Sequence, residues 1–569
     1  MSSPLSLLPA AVLTPVTPSV AVKPFIAAAV QLPGLLPANA ALSVAHPPRA
    51  ASIPESTLPS ALFDGALLRP AASVDLPVPP SREDFALTID SLLSTRRAEL
   101  LALSNRYSSA SPDEKKPLDA RIQSIVDELN VLKLPAGRSV HDLSPAPPDF
   151  SVNQFVSSPE YPKYRAAAES RLLRGEYIPQ FIYAGAATRL LQDFEEVLGR
   201  KLDPLPYRMY GLDLWDVLRR MRSLDESSLL KLFTSQKVPN PALMISRLKS
   251  IEIPAEAPAL GMGPRQILAY TSLLERLALR HAMSPRAVLR RQRPVFHVNE
   301  EIAASVIEDF KKNAFYGFDR SKVVFIIQPI FKGYRLEERG AEQAVDSPAL
   351  PFGHGYAAAQ LKHSDAFTID AAGRPAPLGM PFLDAMIAAD AKGRFVVATH
   401  RINDATKFTT EQVVDLDGLA LSLSLLDKGY GVTIDLVGNP GKQKGGNNLR
   451  FAGDRRSFLI ETSNSKGSPE LTALLDDAAK TGAPYNAFRL TSTPATYKKL
   501  LDAGIPYNLR FKNGFFYLES VTGDLTQLPD SHSVAIQKEG ELIHDFKQLA
   551  NLLDALEYLR KQDSGRRAP

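Results

Sequence analysis

The chain of 569 residues contains no cysteine. Disulfide frameworks, thiolate zinc sites, iron–sulfur clusters and cysteine nucleophiles are therefore excluded. The Gly-x-Ser-x-Gly spacing of serine hydrolases and the His-Glu-x-x-His spacing of zinc peptidases are also missing. Any chemistry has to come from carboxylates, lysine, arginine, histidine, hydroxyls or backbone amides.

The first 54 residues contain no acidic side chain, and they are rich in proline. Fifteen of the 46 prolines fall within residues 1–80, so a helix long enough to span a bilayer is not expected there. Lys23 is the first basic residue, whereas a secretory signal starts with basic side chains and a transit peptide is rich in arginine. We expect a disordered tail over 1–80 and a cytoplasmic protein. A targeting segment, with an organelle or export as the destination, is the alternative.

The charge balance is mild, with 66 basic and 62 acidic side chains and a net charge of +4. Duplex-binding proteins usually concentrate a much stronger basic stripe on one face. The cluster of Arg286, Arg290, Arg291 and Arg293 could bind nucleic acid, but such a run more often forms a solvated helix face. We therefore expect neither a nucleic-acid partner nor a membrane partner.

Beyond residue 80 the pattern is that of a globular protein. Residues 81–175 show a helical pattern, and from 176 to 530 short apolar runs alternate with helical stretches. The predicted buried strands are 180–183, 323–327, 395–398 and 432–437, and the predicted helices include 263–280, 302–312, 416–426 and 470–480. This alternation predicts an α/β fold with a mostly parallel sheet covered by helices on both faces. Residues 531–569 form a short C-terminal region.

Ligands of such sheets bind beyond the carboxyl ends of the strands, so the residues that follow each apolar run are candidates. Small residues and a cation follow the first run and favour an anion site at a helix N-terminus, although an ordinary tight turn has the same composition. A glutamine ends the second run, and a histidine between two glycines follows it, which suggests backbone close to a planar ligand. An acid after the third run could bind a hard cation such as Mg²⁺ or could cap a turn. Lysines among glycines after the fourth run favour an anionic substrate.

Taken in order, these residues resemble the UDP-sugar pyrophosphorylase family, the UTP-dependent sugar-1-phosphate uridylyltransferases. The resemblance runs from about residue 177 to residue 543. Residues 184–190 resemble the nucleotide-binding GGxGTR-type loop, 263–266 the Gly-Pro-Lys-Ser segment, and 351–355 the Pro-Gly-His-Gly loop. Residues 403–404 resemble the Asn-Asp pair that holds magnesium, 444–446 the Lys-Gly-Gly turn, and 485–486 the Phe-Asn start of a sugar-contacting strand.

The resemblance implies a Rossmann-like nucleotidyltransferase domain, preceded by the helical region and the tail. It implies Mg²⁺-dependent transfer of a uridylyl group from UTP to a sugar 1-phosphate, which gives a UDP-sugar and pyrophosphate. The site residues that it implies are Gly185, Ala186, Ala187, Thr188, Gln328, Gly353, His354 and Gly355 for the nucleotide; Asn403, Gly446, Glu461 and Asn486 for the sugar; Asp404 for the metal; and Arg189, Arg265, Lys444 and Lys538 for catalysis.

The sequence departs from the family at several points. Ala186 and Ala187 stand where glycines are usual near the triphosphate, and Arg265 replaces a lysine. The short C-terminal region is truncated relative to the β-helix of many relatives, so we expect a monomer. The altered loop keeps a second interpretation open, that of a noncatalytic relative which binds a nucleotide or sugar nucleotide as a sensor or scaffold.

Overall fold

The computed structural model describes residues 85–184, 195 and 210–565. Within these ranges it leaves out residues 133, 135, 136, 237, 256, 258, 351, 364, 403, 406–409, 440–445, 455, 543 and 546–548. The tail predicted over 1–80 lies outside the described residues. None of the described helices combines the length and the apolar character that crossing a bilayer would need.

The helices are α1 Phe85–Leu93, α2 Arg97–Ser109, α3 Pro112–Leu129, α4 Val152–Val156, α5 Tyr161–Arg174, α6 Leu214–Ser223, α7 Glu226–Ser235, α8 Pro241–Ser250, α9 Met262–Arg280, α10 Pro285–Leu289, α11 Ala303–Lys312, α12 His354–Ala359, α13 Phe382–Ala389, α14 Leu416–Asp427, α15 Pro469–Lys480, α16 Pro494–Asp502 and α17 Leu549–Gly565. The strands are β1 Leu143–Pro145, β2 Phe150–Ser151, β3 Tyr177–Ile182, β4 Val295–Asn299, β5 Val324–Gln328, β6 Phe331–Lys332, β7 Tyr334–Glu337, β8 Gly340–Gln343, β9 Ala349–Leu350, β10 Phe367–Ile369, β11 Pro375–Pro377, β12 Val396–Arg401, β13 Asp404–Ala405, β14 Val432–Gly438, β15 Asn447–Phe451, β16 Phe458–Ile460, β17 Tyr485–Ser492, β18 Asn508–Lys512, β19 Phe515–Glu519, β20 Ser533–Leu542 and β21 His544–Asp545.

The main sheet has the order β11-β10-β5-β4-β3-β12-β17-β14-β20-β2. Its strands β5, β4, β3 and β12 are parallel neighbours, and so are β14, β20 and β2. Between these two parallel blocks lies β17, which is antiparallel to both β12 and β14. The prediction of an α/β fold with a mostly parallel sheet flanked by helices is confirmed.

The sheet is buried on both faces because successive side chains of each strand enter opposite apolar layers. Phe296 and Phe325 face the layer that includes α5, α6, α9, α11, α14 and α17. Val295 and Ile326, one residue away, face the layer that includes α13 and α16. Such two-sided burial accounts for the continuous apolar runs from which the strands were predicted.

The N-terminal helices α1 to α3 share an apolar cluster with the small sheet β18-β19-β7-β8 and with the residues around β6 and α12. The ring of Phe85 lies edge-on to those of Phe331 and Phe352, at centroid distances of 5.1 and 4.5 Å. Phe331 and Phe352 stack on each other at 3.6 Å. Helix α1 therefore supports the loop that leads into α12, which contains the predicted base-binding residues.

Candidate functional site

The predicted base-binding loop packs against the end of β5 and against residue 520. Gln328, the last residue of β5, donates a hydrogen bond from Nε2 to the carbonyl oxygen of Gly353 at 3.0 Å. The backbone N–H of Gly355 donates to the carbonyl oxygen of Ser520 at 2.9 Å. Gly353 has a φ of +82°, and a Cβ there would lie 2.5 Å from the Ser520 oxygen. Only glycine fits this position, which brings the loop backbone onto residue 520.

His354 is oriented by Thr522. Its Nδ1 accepts a hydrogen bond from the Thr522 N–H at 3.1 Å, and the Thr522 hydroxyl donates to the His354 carbonyl oxygen at 3.1 Å. A ring nitrogen that accepts from an amide carries no proton, so the neutral imidazole has its proton on Nε2. The donor of this side chain is therefore Nε2.

The predicted sugar-binding residues also come together, from three separate strand ends. The Gly446 N–H donates to Oε2 of Glu461 at 3.0 Å, and the Asn486 N–H donates to the Gly446 carbonyl oxygen at 3.2 Å. Gly446 precedes β15, Glu461 follows β16, and Asn486 lies in β17, which is antiparallel to β15. Gly446 has a φ of +60°, and a Cβ there would lie 3.2 Å from Cβ of Asn486 and 3.5 Å from Oε1 of Glu461.

A segment outside the predicted motifs lies between these two sets of residues and contacts both. It runs from residue 520 to 524, after β19, and it enters the short 3-10 helix Thr522–Gln527. Thr522 holds His354, while a Cβ at Gly523 would lie 3.9 Å from Oε1 of Glu461. In the sequence, the sign of this segment is a Thr-Gly-Asp turn, which follows the aromatic strand β19 after two intervening residues.

Asp524, at the end of that segment, is fully buried. It accepts hydrogen bonds from Nδ2 of Asn508 at 3.3 Å and from Nε2 of Gln527 at 3.0 Å. Burial, and secondly the charge of Glu461, raise the pKa of Asp524 well above its ordinary value. Burial thus favours the neutral form of Asp524, which lies close to Glu461 of the predicted sugar-binding set.

Lys538, predicted to be catalytic, is buried in an ionic cluster on β20. Its ammonium lies 2.8 Å from Oδ2 of Asp415 and 3.2 Å from Oδ2 of Asp435. Burial opposes the charge, but the two carboxylates outweigh it and raise the pKa of Lys538. The packing needs Gly418, since a Cβ there would lie on top of the ammonium nitrogen. The structure thus gives Lys538 two ionic partners within the protein.

Arg265, the other described residue predicted to be catalytic, lies near the start of α9 and is also paired. Its guanidinium donates to both carboxylate oxygens of Asp563 in α17, at 2.8 and 3.2 Å. Nε1 of Trp215 donates to the same carboxylate at 2.8 Å, and all three side chains are buried. This arrangement connects α17 to α6 and α9, and it pairs the cation that the resemblance had assigned to catalysis with a carboxylate of the protein.

The remaining predicted residues are described in part or not at all. Gly185, Ala186, Ala187, Thr188, Arg189, Asn403 and Lys444 lie outside the described residues. The backbone of Asp404 is described, and it lies in β13 directly opposite Asp545 of the antiparallel strand β21. The strands before these loops are described: Ile182 at the end of β3 pairs with Arg401 at the end of β12.

Comparisons with known proteins give structural likenesses only. No family model matches the chain, and no curated protein matches it. Solved structures with a similar fold include a UDP-glucose phosphorylase from Trypanosoma brucei, at 13% identity and a TM-score of 0.44, with 80% of this chain and 78% of that chain covered. A variant of UDP-glucose pyrophosphorylase from Leishmania major in complex with UDP-glucose gives 12% identity and a TM-score of 0.46, with coverage of 80% and 78%. The UDP-N-acetylglucosamine pyrophosphorylase of Trypanosoma brucei gives 12% and 0.42, with coverage of 84% and 85%. Likenesses at this level do not decide a function, which has to be argued from the site.

Proposed function

We propose that this chain is a nucleotidyltransferase that transfers a uridylyl group from UTP to a sugar 1-phosphate. The observation that carries the proposal is the joining of two sets of residues by residues 520–524. The set predicted to bind the base and the set predicted to bind the sugar are far apart in sequence. They meet through Thr522 and Gly523 at one edge of the sheet. A nucleoside diphosphate sugar has a base at one end and a sugar at the other, and these two sets match its ends.

The phosphate and metal end of the site is supported by strand register. Ile182 and Arg401 are partners in adjacent parallel strands, and the loop from Gly185 and the acid Asp404 each follow three residues later. Both segments therefore leave the sheet at neighbouring strand ends. Asp404 lies opposite Asp545, and like charges directly opposite each other on paired strands are destabilising unless a cation or proton offsets them. Two acids paired in register are a donor set that would suit Mg²⁺, which prefers oxygen ligands, and Mg²⁺ held by them would draw charge from the phosphate oxygens.

The protein's own work in this reaction is to position the reactants and to stabilise charge. Gln328 and the backbone of residues 353–355 would bind the uracil edge, with residues 185–189 around the β- and γ-phosphates. The carboxylate of Glu461 would accept hydrogen bonds from sugar hydroxyls, and the carboxamide of Asn486 would donate to them or accept from them. An oxygen of the sugar 1-phosphate attacks the α-phosphorus, and the bond from that phosphorus to the pyrophosphate oxygen breaks. Lys444 is the cation proposed to offset the charge on the α-phosphate, because Lys538 is held by two carboxylates.

The test is pyrophosphate release from UTP, MgCl₂ and each of a panel of sugar 1-phosphates. We expect release that depends on one sugar 1-phosphate, with formation of the matching UDP-sugar. Glu461→Gln should lower turnover by about two orders of magnitude. This corresponds to a rise of about 2.7 kcal/mol in the activation free energy, which is typical when one preorganised polar group is removed. Glu470→Gln, an exposed substitution at the start of α15, is the matched control and should leave turnover unchanged. Equal turnover in both variants would remove Glu461 from the site.

A noncatalytic nucleotide or sugar-nucleotide binder is the second candidate, and one observation favours it. Both described cations that were predicted to act in catalysis, Arg265 and Lys538, are engaged in buried ion pairs. Calorimetric titration with UTP and with UDP-glucose separates the two candidates when it is run beside the pyrophosphate assay. Binding of either ligand without release under any condition of the panel would favour the binder over the enzyme.

A further inference from the structure

The edge of the sheet opposite the candidate site carries a concentrated positive charge. Four segments directly precede four neighbouring parallel strands: 171–176 before β3, 286–293 before β4, 319–322 before β5, and 390–394 before β12. Because the amino ends of parallel strands share one edge of a sheet, the topology brings these segments together. We call them the basic edge. They contain ten arginine or lysine residues and three acids, which is seven net positive charges in a chain whose total is +4.

Contacts between the segments show that the basic edge is continuous. Arg293 donates a hydrogen bond from Nη1 to the carbonyl oxygen of residue 175 at 3.2 Å, which joins the segments before β3 and β4. Lys322 donates from Nζ to the carbonyl oxygen of Arg290 at 2.9 Å, which joins those before β4 and β5. Arg394 lies 3.9 Å from Oε1 of Glu176, which joins those before β3 and β12.

The acids of the basic edge are few and already engaged. Asp319 and Asp390 accept hydrogen bonds from backbone N–H groups of their own turns, and Glu176 lies within 4.0 Å of both Arg174 and Arg394. Asp427, at the end of α14, is a further acid near Arg171. The segments leave Arg286, Arg290, Arg291 and Arg320 exposed. The edge therefore presents excess positive charge to solvent.

The mild overall charge of +4 led us to expect no membrane partner, but strand pairing concentrates cations that this total does not reveal. We propose that the basic edge binds the surface of an anionic phospholipid bilayer. Eight of its ten cations are arginines, whose guanidinium groups match phosphate oxygens in pairs. Basic residues near an anionic leaflet each contribute about 1 kcal/mol of attraction, so seven net charges are ample for peripheral binding. This inference does not rest on the proposed transferase activity, since the basic edge lies at the other end of the strands.

Two observations favour a bilayer over nucleic acid as the occupant. Proteins that bind single strands interleave cations with exposed aromatic rings for stacking, whereas the ring at this edge, Phe395, is buried beneath the guanidinium of Arg293. Duplex readers insert the face of a helix or ribbon into a groove, whereas this edge presents the ends of elements. Leu279, on the last turn of α9 just before these segments, is 68% exposed and offers an apolar side chain to a headgroup layer.

The test compares sedimentation of the full chain with two kinds of vesicle. One contains phosphatidylcholine alone, and the other has phosphatidylserine as about one third of its lipid, which gives a negative surface potential. We expect the chain to sediment only with the anionic vesicles. Binding should fall as NaCl approaches about 1 M, where the Debye length is about 3 Å. Absence of sedimentation with anionic vesicles at low salt would overturn the proposal.

A triple charge reversal locates the binding surface. Arg286→Glu, Arg290→Glu and Arg291→Glu change exposed side chains that form no ion pair among the described residues. Together they change the charge of the edge by six units and should lower the vesicle partition coefficient by more than roughly 100-fold. The matched control reverses three exposed lysines elsewhere, Lys116→Glu, Lys231→Glu and Lys466→Glu, with the same change in net charge.

The outcomes of this comparison are distinct. The basic edge is supported as the bilayer surface if the arginine variant loses vesicle binding, the lysine control retains it, and both variants melt at the wild-type temperature. An equal loss in both variants would show that overall charge, and not this edge, is responsible. Tighter binding to a duplex or single-stranded oligonucleotide at the same ionic strength would make nucleic acid the occupant and would refute the bilayer. Pyrophosphate release, where present, should be the same in both variants.

Discussion

The attachment of helix α17 by one buried carboxylate can be tested quantitatively. Asp563 has no exposed surface, and it accepts two hydrogen bonds from the guanidinium of Arg265 and one from the indole of Trp215. Asp563→Asn keeps the side-chain volume but removes the charge, which leaves a buried guanidinium without its counterion. Breaking a buried pair in this way typically costs about 3–5 kcal/mol.

A second acid of α17, which pairs with an arginine of α8, provides the control. Asp554 lies 3.0 Å from Arg247, but the side chains are 53% and 34% exposed, so solvent screens the interaction. Asp554→Asn should cost less than about 1 kcal/mol. The two substitutions therefore differ in burial and not in chemistry.

Hydrogen–deuterium exchange of the α17 amides is the suitable assay, because a chain of this length need not unfold in a single step. We expect Asp563→Asn to lower protection across α17 by about 3 kcal/mol or more, and Asp554→Asn to lower it only slightly. Replacing both partners by apolar residues, Arg265→Met with Asp563→Leu, should restore much of the protection, since the buried charge is then gone. Equal protection in the two single variants would refute the reasoning that burial makes this pair important.

Three further predictions concern the site and the core. Gly446→Ala should raise the KM for the sugar 1-phosphate, because the residue has a φ of +60° and the added Cβ would lie 3.2 Å from Cβ of Asn486. Gly482→Ala is the control for backbone strain alone, since Gly482 has a φ of +72° but open space around it. Burial lowers the pKa of His297 from 6.5 to about 3, so the folded state favours the neutral ring, and stability present above pH 6.5 is lost as the pH falls towards 3. The titration of His297 should account for about 2 kcal/mol of the stability that is lost between pH 7.5 and pH 5. His297→Gln should abolish that part of the loss, measured as hydrogen–deuterium exchange protection of the β4 amides, and an unchanged pH dependence would contradict this. Lys538→Met should remove the cation that pairs with the buried carboxylates of Asp415 and Asp435, which leaves only the charge of Arg489 near them among the described residues, and should destabilise the fold by about 3–5 kcal/mol. A variant with wild-type melting would show that the cluster is less tightly coupled than its distances indicate.

Much of the α/β core was predictable because burial on both faces leaves a strong signal in each strand. The run predicted over 432–437 is the strand Val432–Gly438, and the helix predicted over 416–426 is Leu416–Asp427. The boundaries of β3 were less accurate, since a prediction over 180–183 corresponds to Tyr177–Ile182. Tyr177 and Ile178 belong to the strand because they pair with β12, a contact that local pattern does not contain.

The residues of the candidate site were proposed from motif order, and the structure shows which of those that it describes lie together. The motif order predicted Gly446, Glu461 and Asn486, and the antiparallel strands β15, β16 and β17 bring them within hydrogen-bond distance. The segment around Thr522 was missed because its role depends on a contact with His354, which lies 168 residues away along the chain. A Thr-Gly-Asp turn alone carries no sign of such a partner.

The absence of cysteine and the alternation of apolar runs are local properties of the chain, and they were enough to predict the chemical possibilities and the layered fold. Which charges are available depends on tertiary packing. Arg265 and Lys538 carry the same charge in the sequence as Arg290, yet burial beside Asp563 and beside Asp415 and Asp435 turns the first two into internal ion pairs. Parallel pairing of β3, β4, β5 and β12 gathers the other cations at one edge. The strength of an electrostatic interaction depends on distance and on access to water, and both are properties of the folded chain.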